Sequence, residues 1–136
     1  IRFSYMGLEN ALIMGPKPQL TRVVVNLITN SVQAIEIMQQ DRTAEGGQAL
    51  QGVILVSVRN SSQDGYYDIV FEDNGPGVAT ANLGKLFTPN FTTKSGGTGI
   101  GLAICRSILE KCNAEISYSR SFTLGGACFT VHYPKK

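Results

Sequence analysis

The sequence has no tryptophan, a single histidine and only three cysteines. Because the cysteine count is odd and no Cys-x-x-Cys pair occurs, a disulfide scaffold or zinc site is disfavoured, and free, buried or half-buried thiols in a reducing compartment are predicted. The net charge is only +2 and no Lys/Arg block occurs, so no nucleic-acid partner is expected. No apolar run is long enough to cross a membrane and no signal peptide opens the chain, so no membrane contact is expected.

The composition is that of an ordinary globular protein, because 43% of the 136 residues are apolar. That length fits one domain, residues 1–136, with a reasonable core. Because the opening Ile1-Arg2-Phe3 is not a natural start, the chain is expected to be a fragment of a longer protein.

Hydrophobic periodicity predicts a mixture of strands and helices. Strands are predicted at residues 1–5, 10–14, 53–58, 66–73, 114–119 and 127–133, and helices at 19–38, 82–87 and 99–111. Residues 39–52 are predicted to form a loop. Because strands and helices do not alternate regularly, a two-layer α/β sandwich is favoured over a doubly wound sheet.

The first long helix carries a narrow polar stripe. At about 100° per residue, the stripe consists of Gln19, Arg22, Asn26, Asn30 and Gln33. Apolar residues cover most of the remaining surface, which predicts a helix buried nearly all round. Amides offer an oxygen to a hard cation and an NH2 group to a phosphate. From the stripe alone, a ligand site and a solvent face are about equally good interpretations.

An acidic residue stands before a glycine turn. Asp73 ends a predicted strand and is followed by Asn74-Gly75-Pro76-Gly77. A carboxylate at the mouth of such an open turn can accept a hydrogen bond from the N6 amine of adenine. Taken alone, the segment is better explained as a plain Asp-Asn-Gly turn.

A glycine-rich loop opens the last helix, running from Lys94 to Leu102. Uncovered backbone N–H groups and the positive potential of a helix start together favour phosphate. The loop matches neither the Walker nor the Rossmann pattern. A flexible connection is the alternative interpretation.

Together these segments resemble the nucleotide-binding boxes of the GHKL ATPase and kinase superfamily, in the form found in sensor histidine kinases. Their order and spacing match over nearly the whole chain. Residues 26–31 resemble the N box, 73–77 the G1 box, 86–94 the F box of the ATP lid, and 97–102 the G2 box.

The resemblance implies a Bergerat fold, a mixed sheet with helices on one face and ATP between the helices and a mobile lid. It implies that Asn30 ligates Mg²⁺, that Asn26 lies beside the triphosphate and that Asp73 reads adenine. Asn26 and Lys94 are the residues assigned to catalysis. The other implied contacts with ATP come from the glycines and the lid: Gly75 and Gly77 at the base, Gly97, Thr98, Gly99, Gly101 and Leu102 in the phosphate-binding segment, Phe87 and Phe91 as lid anchors, and Lys94 near the γ-phosphate.

Asn26 also bears on the type of reaction. Hydrolytic relatives, such as gyrase and the heat-shock chaperones, carry at this position a Glu that activates water, and an amide cannot take that proton. The resemblance therefore implies a protein-histidine kinase that uses Mg-ATP. A non-catalytic nucleotide sensor or another GHKL ATPase is the alternative.

The single histidine is not expected to be the phospho-acceptor. His132 lies in a predicted strand where Phe129, Val131 and Tyr133 should face the helices, so its side chain should point to the other face. The resemblance implies an acceptor histidine on a separate dimerisation and phosphotransfer domain, and a response regulator reached through that domain. A cytoplasmic location is expected, with an inner-membrane anchor for the whole kinase left open.

Overall fold

The computed structural model describes residues 1–8, 17–88 and 101–135. The elements in chain order are β1 (Arg2–Gly7), α1 (Lys17–Ala44), β2 (Val53–Asn60), β3 (Tyr66–Asp73), a short 3-10 helix (Thr80–Lys85), α2 (Gly101–Lys111), β4 (Glu115–Arg120) and β5 (Ala127–Pro134). None of the helices in these ranges is apolar enough over a sufficient length to cross a membrane.

The five described strands form one mixed sheet in the order β1-β2-β3-β5-β4. β1 runs parallel to β2, and the other neighbouring strands are antiparallel. The core lies between one face of this sheet and the two helices, where Phe129, Val131 and Tyr133 pack with Leu27 and Leu109. The structure therefore confirms the predicted two-layer sandwich with helices on one face.

The first helix is longer than its pattern indicated. Residues 39–44, predicted as loop, belong to α1, so that prediction was wrong. Most side chains of residues 39–44 are exposed, which suits polar residues. Polar side chains on an exposed helix surface do not interrupt the backbone hydrogen bonds of the helix. The Thr43 hydroxyl donates to the Gln39 carbonyl at 3.0 Å, and the helix gives way to a turn at Gly46, whose φ is +84°.

The expectation that α1 is buried nearly all round was also wrong. One row of side chains, spaced four residues apart, is buried: Val23, Leu27, Ser31 and Ile35. Val25, which lies two residues after Val23 and outside this row, is 55% exposed. A single layer of sheet covers only one side of the helix, and the apolar residues outside the row are partly or largely exposed.

The remaining predicted elements agree closely with the structure where it describes them. The hairpin of β2 and β3 is present, and β3 has the predicted bounds. The helical candidate at 82–87 is the 3-10 helix at Thr80–Lys85. The predicted strand at 10–14 and the first two residues of the helix predicted at 99–111 lie outside the described residues.

Candidate functional site

The centre of the site is the carboxylate of Asp73, at the end of β3. The residue is only 2% exposed. Its Oδ1 accepts hydrogen bonds from the backbone N–H groups of Gly75 at 2.9 Å and Ala127 at 3.1 Å. Its Oδ2 accepts a hydrogen bond from the hydroxyl of Ser31 at 2.7 Å. These donors from the described residues use three of the roughly four acceptor positions of a carboxylate.

Ser31 is a site residue that the sequence analysis missed. It lies in the buried row of α1, one residue after Asn30, and is 3% exposed. A signal was available, because Ser31 interrupts the otherwise apolar row of Val23, Leu27 and Ile35 at a spacing of four. A buried hydroxyl needs a partner, and here the partner is the carboxylate 42 residues further along the chain.

Gly126 is a second residue whose role was missed. Its backbone N–H donates to the Asp73 carbonyl at 3.1 Å. A Cβ atom at Gly126 would lie 2.5 Å from that carbonyl oxygen and 2.5 Å from Asp73 Oδ1. Nothing in the sequence pattern singled out Gly126, whereas the structure requires glycine there so that β5 can approach the carboxylate.

The turn after Asp73 brings its two predicted glycines to the site. A Cβ atom at Gly75 would lie 3.1 Å from Asp73 Oδ1 and 3.6 Å from the Ala34 side chain of α1. Gly77 has a φ of +72°, and a Cβ atom there would lie 2.7 Å from the guanidinium of Arg120. The space beside Gly77 is therefore filled by Arg120, a further residue that the sequence analysis did not identify.

The predicted amide residues lie on α1, the helix that packs against α2. Asn26 and Asn30 are both half-buried and stand one helical turn apart. On α2, the thiol of Cys105 donates to the Val23 carbonyl of α1 at 3.9 Å. Burial raises the pKa of that thiol, although hydrogen bonding by Asn26 and the positive charge of Arg22 oppose the rise. The thiol is therefore protonated at neutral pH.

The start of the predicted lid packs onto the core. The ring of Phe87 meets Phe129 of β5 edge to face, with 6.3 Å between ring centroids. Gly101 and Leu102 are the first residues of α2, and Leu102 packs against the core. The other predicted site residues, namely Phe91, Lys94, Gly97, Thr98 and Gly99, lie outside the described residues.

His132 is held on the sheet face opposite to the helices, as predicted. Its Nδ1 lies 2.9 Å from Asp68 Oδ1, and its Nε2 lies 3.1 Å from Gln63 Oε1. Tyr66 stacks on the ring at 4.2 Å between centroids. Neighbouring Val131 and Tyr133 point the other way, into the core.

The sequence matches the family described as "Histidine kinase-, DNA gyrase B-, and HSP90-like ATPase" over residues 15–136. The chain belongs to this family. The sensor histidine kinase TmoS of Ectopseudomonas mendocina is 37% identical over 122 residues, which cover 90% of this chain and 12% of TmoS. The sensor histidine kinase ZraS of Escherichia coli (strain K12) is 37% identical over 122 residues, which cover 90% of this chain and 23% of ZraS. The chain thus spans less than a quarter of the length of either relative.

Solved structures of histidine kinases share the fold of this ATPase-family domain. The nucleotide-free catalytic domain of the histidine kinase ThkA superposes with a TM-score of 0.76 at 25% identity, over 98% of this chain and 78% of that one. The mycobacterial sensor histidine kinase MprB superposes with a TM-score of 0.76 at 19% identity, over 99% of this chain and 84% of that one.

Proposed function

We propose that this chain is the ATP-binding catalytic domain of a two-component sensor histidine kinase. It binds Mg-ATP and donates the γ-phosphate to a histidine on a separate dimerisation and phosphotransfer domain of the same protein, from which a response regulator receives it. The observation that carries the proposal is the buried carboxylate of Asp73, in a domain whose family is that of the histidine kinase ATPases.

Asp73 supplies the recognition of the base. Ser31, Gly75 and Ala127 use three of the roughly four acceptor positions of the carboxylate, so one position on Oδ2 is left for a further donor. The N6 amine of adenine is such a donor, whereas the O6 of guanine would face an oxygen that only accepts. The Mg-ATP complex should therefore bind in preference to Mg-GTP.

Asn30 is proposed as the protein ligand of Mg²⁺. Across the described residues, no three His, Cys, Asp or Glu side chains stand close enough to hold a metal ion. Mg²⁺ commonly takes most of its ligands from phosphates and water and only one or two from the protein, so an amide oxygen on α1 suits it. When bound, the ion supplies neutralisation of phosphate charge. Asn26, Lys94 and the glycines Gly97, Gly99 and Gly101 would position the phosphates.

The metal assignment can be tested with a matched pair of α1 variants. Asn30→Ala should abolish the Mg²⁺-dependent part of ATP binding and leave the fold intact. Gln33→Ala removes an exposed amide from the same helix and should leave the Mg²⁺ effect unchanged. If Mg²⁺ still strengthens ATP binding to Asn30→Ala as much as to wild type, the assignment is wrong.

The lid is proposed to comprise residues 79–96. Its first half is anchored by Phe87 on Phe129, and its polar composition gives few further points of attachment. Amide exchange in this segment should slow when ATP is added. Exchange that is already slow without nucleotide, and unchanged with it, would contradict a lid.

The kinase reaction is favoured over hydrolysis because Asn26 cannot act as a base toward water. The neutral imidazole of an acceptor histidine needs no such base, since its nitrogen can form the bond to phosphorus as the bond to ADP breaks. A non-catalytic nucleotide sensor remains the second candidate. It would share the base site and differ only in transferring no phosphate.

The acceptor histidine is proposed to lie on the separate domain, because His132 is fixed to Asp68 and Gln63 on the sheet face that points away from the helices. A nucleophile must come within about 3–3.5 Å of the phosphorus. Label from γ-labelled ATP should appear on the helical acceptor domain of the whole protein when the two parts are mixed, and never on this chain alone. Acid-labile label on this chain, lost in His132→Ala, would overturn the assignment, and no transfer to either part would favour the sensor.

A further inference from the structure

The base-binding turn is held from one side by an edge strand of the sheet. Residues 75–78 leave β3 and run toward the 3-10 helix. The N–H of Val78 donates to the hydroxyl of Tyr118 at 2.8 Å, and the carbonyl of Pro76 accepts from Arg120 Nη1 at 3.2 Å. Tyr118 and Arg120 are two residues apart on β4, so their side chains leave the same face of that strand. We call this pair the β4 brace.

Tyr118 offers a fixed point of attachment because its ring is packed into the core. The ring meets Phe129 at 5.3 Å between centroids and an interplanar angle of 61°. Phe129 in turn meets Phe87, which lies in the first half of the proposed lid. The same aromatic group therefore fixes the hydroxyl that holds Val78 and the ring that anchors the far end of segment 78–87.

Arg120 ties the base-binding turn to the turn between β4 and β5. Its Nη1 donates to the carbonyls of Pro76 at 3.2 Å and Gly125 at 3.0 Å. The guanidinium occupies the space where a side chain at Gly77 would begin. Gly126, which follows Gly125 in the chain, is the residue whose backbone closely approaches Asp73. Arg120 thus joins the two backbone segments that border the Asp73 carboxylate.

We propose that Tyr118 and Arg120 are positioning residues that hold residues 75–78 in the shape that nucleotide binding requires. The proposal rests on the proposed function, because it assumes that Asp73 and the turn receive the base. A turn with two glycines has many accessible conformations when its backbone is not held. If only a fraction of the molecules has the competent turn, the apparent affinity falls to that fraction of its intrinsic value.

Tyr118→Phe tests the hydroxyl alone, because phenylalanine keeps the ring against Phe129. Loss of one net hydrogen bond should weaken ATP binding about 2- to 10-fold and speed hydrogen exchange at the Val78 amide. Tyr5→Phe is the matched control, since it also removes a tyrosine hydroxyl that is hydrogen-bonded to the backbone, in this case by donating to the carbonyl of Leu8 at 3.0 Å. It lies on β1, at the opposite edge of the sheet, and should change neither quantity.

Arg120→Met tests the second half of the brace and keeps the length of the side chain. It should weaken ATP binding to a similar extent, and Arg120→Lys, which retains a donor, should restore part of the loss. Arg106→Met is the control for charge, because Arg106 is an exposed cation on α2 paired with Glu110. Thermal unfolding without nucleotide should show all of these variants folded.

The outcomes separate the brace from the proposed function. If wild type binds no ATP, the proposed function fails, and the brace as a positioning device for nucleotide fails with it. If wild type binds ATP and the brace variants bind it equally well, the brace proposal alone is overturned. Faster exchange at Val78 with unchanged ATP affinity also overturns it, since the turn would then be held without consequence for binding.

Discussion

Replacing Ser31 by alanine perturbs the site through a single atom. The change removes the hydroxyl that donates to Asp73 Oδ2 at 2.7 Å. Alanine is compatible with the helical backbone of α1, so the backbone geometry should not change. Both partners are buried, with exposed fractions of 3% and 2%, so water cannot readily replace the lost donor. The result is a buried carboxylate that has lost one of its hydrogen bonds.

The magnitude follows from the charge of the acceptor. A hydrogen bond to a charged group contributes about 1.5–3 kcal/mol net. Alanine is the better helix former by roughly 0.5 kcal/mol, which offsets part of that loss. We therefore expect Ser31→Ala to lower the free energy of unfolding by about 1–2.5 kcal/mol, or roughly 4–10 °C in Tm for a domain of this size.

Urea unfolding followed by circular dichroism measures this difference, with Ser107→Ala as the control. Ser107 is an exposed serine on α2, so its replacement carries the same gain in helix propensity without loss of a buried bond. The difference between the two variants isolates the contribution of the Ser31–Asp73 pair. If Ser31→Ala proves as stable as Ser107→Ala, the hydrogen bond from Ser31 to Asp73 does not stabilise the domain.

Three further predictions concern neighbouring parts of the core. Gly126→Ala would place a Cβ atom 2.5 Å from Asp73 and should destabilise the domain by about 1–3 kcal/mol beyond the control Gly84→Ala, whose new Cβ atom would meet nothing within 4 Å; equal urea midpoints would contradict this. Burial, followed by a hydrogen bond with Cys112, raises the pKa of Tyr133 from 10.0 to about 12. As the pH rises, the unfolded chain therefore loses the phenol proton before the folded chain does. The contribution of Tyr133 to the free energy of unfolding is complete below pH 10 and is lost between about pH 10 and 12. If the free energy of unfolding falls just as steeply over this pH range in Tyr133→Phe, the assignment is refuted. Finally, Cys112 is the partly exposed thiol and should react with a maleimide faster than the two buried cysteines, which mass spectrometry of labelled peptides can check.

The sequence was informative where the chemistry is local. The end of β3 at Asp73 could be predicted because strand alternation stops at a turn with two glycines. The positions of Asn26 and Asn30 on one face of α1 followed from helical periodicity alone. The inward direction of Tyr133 and the outward direction of His132 followed from the alternation of a strand.

The contacts that complete the site are not local, and periodicity does not contain them. Ser31 and Asp73 are 42 residues apart, and Arg120 and Pro76 are 44 apart. Which strand lies beside β3 is set by topology, so the roles of Gly126 and the β4 brace could not be inferred before β5 and β4 were placed. The length of α1 was underestimated for a different reason, because its polar end remains helical through backbone bonds that composition does not reveal.

We propose that Asp73 reads the adenine of ATP, and a nucleotide titration gives the sharpest test of this role. Mg-ATP and Mg-GTP should be titrated against wild type and Asp73→Asn, with urea unfolding as the check that the variant folds. Loss of the hydrogen bond that the N6 amine donates to a buried carboxylate costs about 1.5–3 kcal/mol, or roughly one to two decades in affinity. Wild type should therefore prefer ATP by such a factor, and a folded Asp73→Asn should lose that preference. Equal affinities of wild type for both nucleotides would show that Asp73 does not distinguish adenine from guanine.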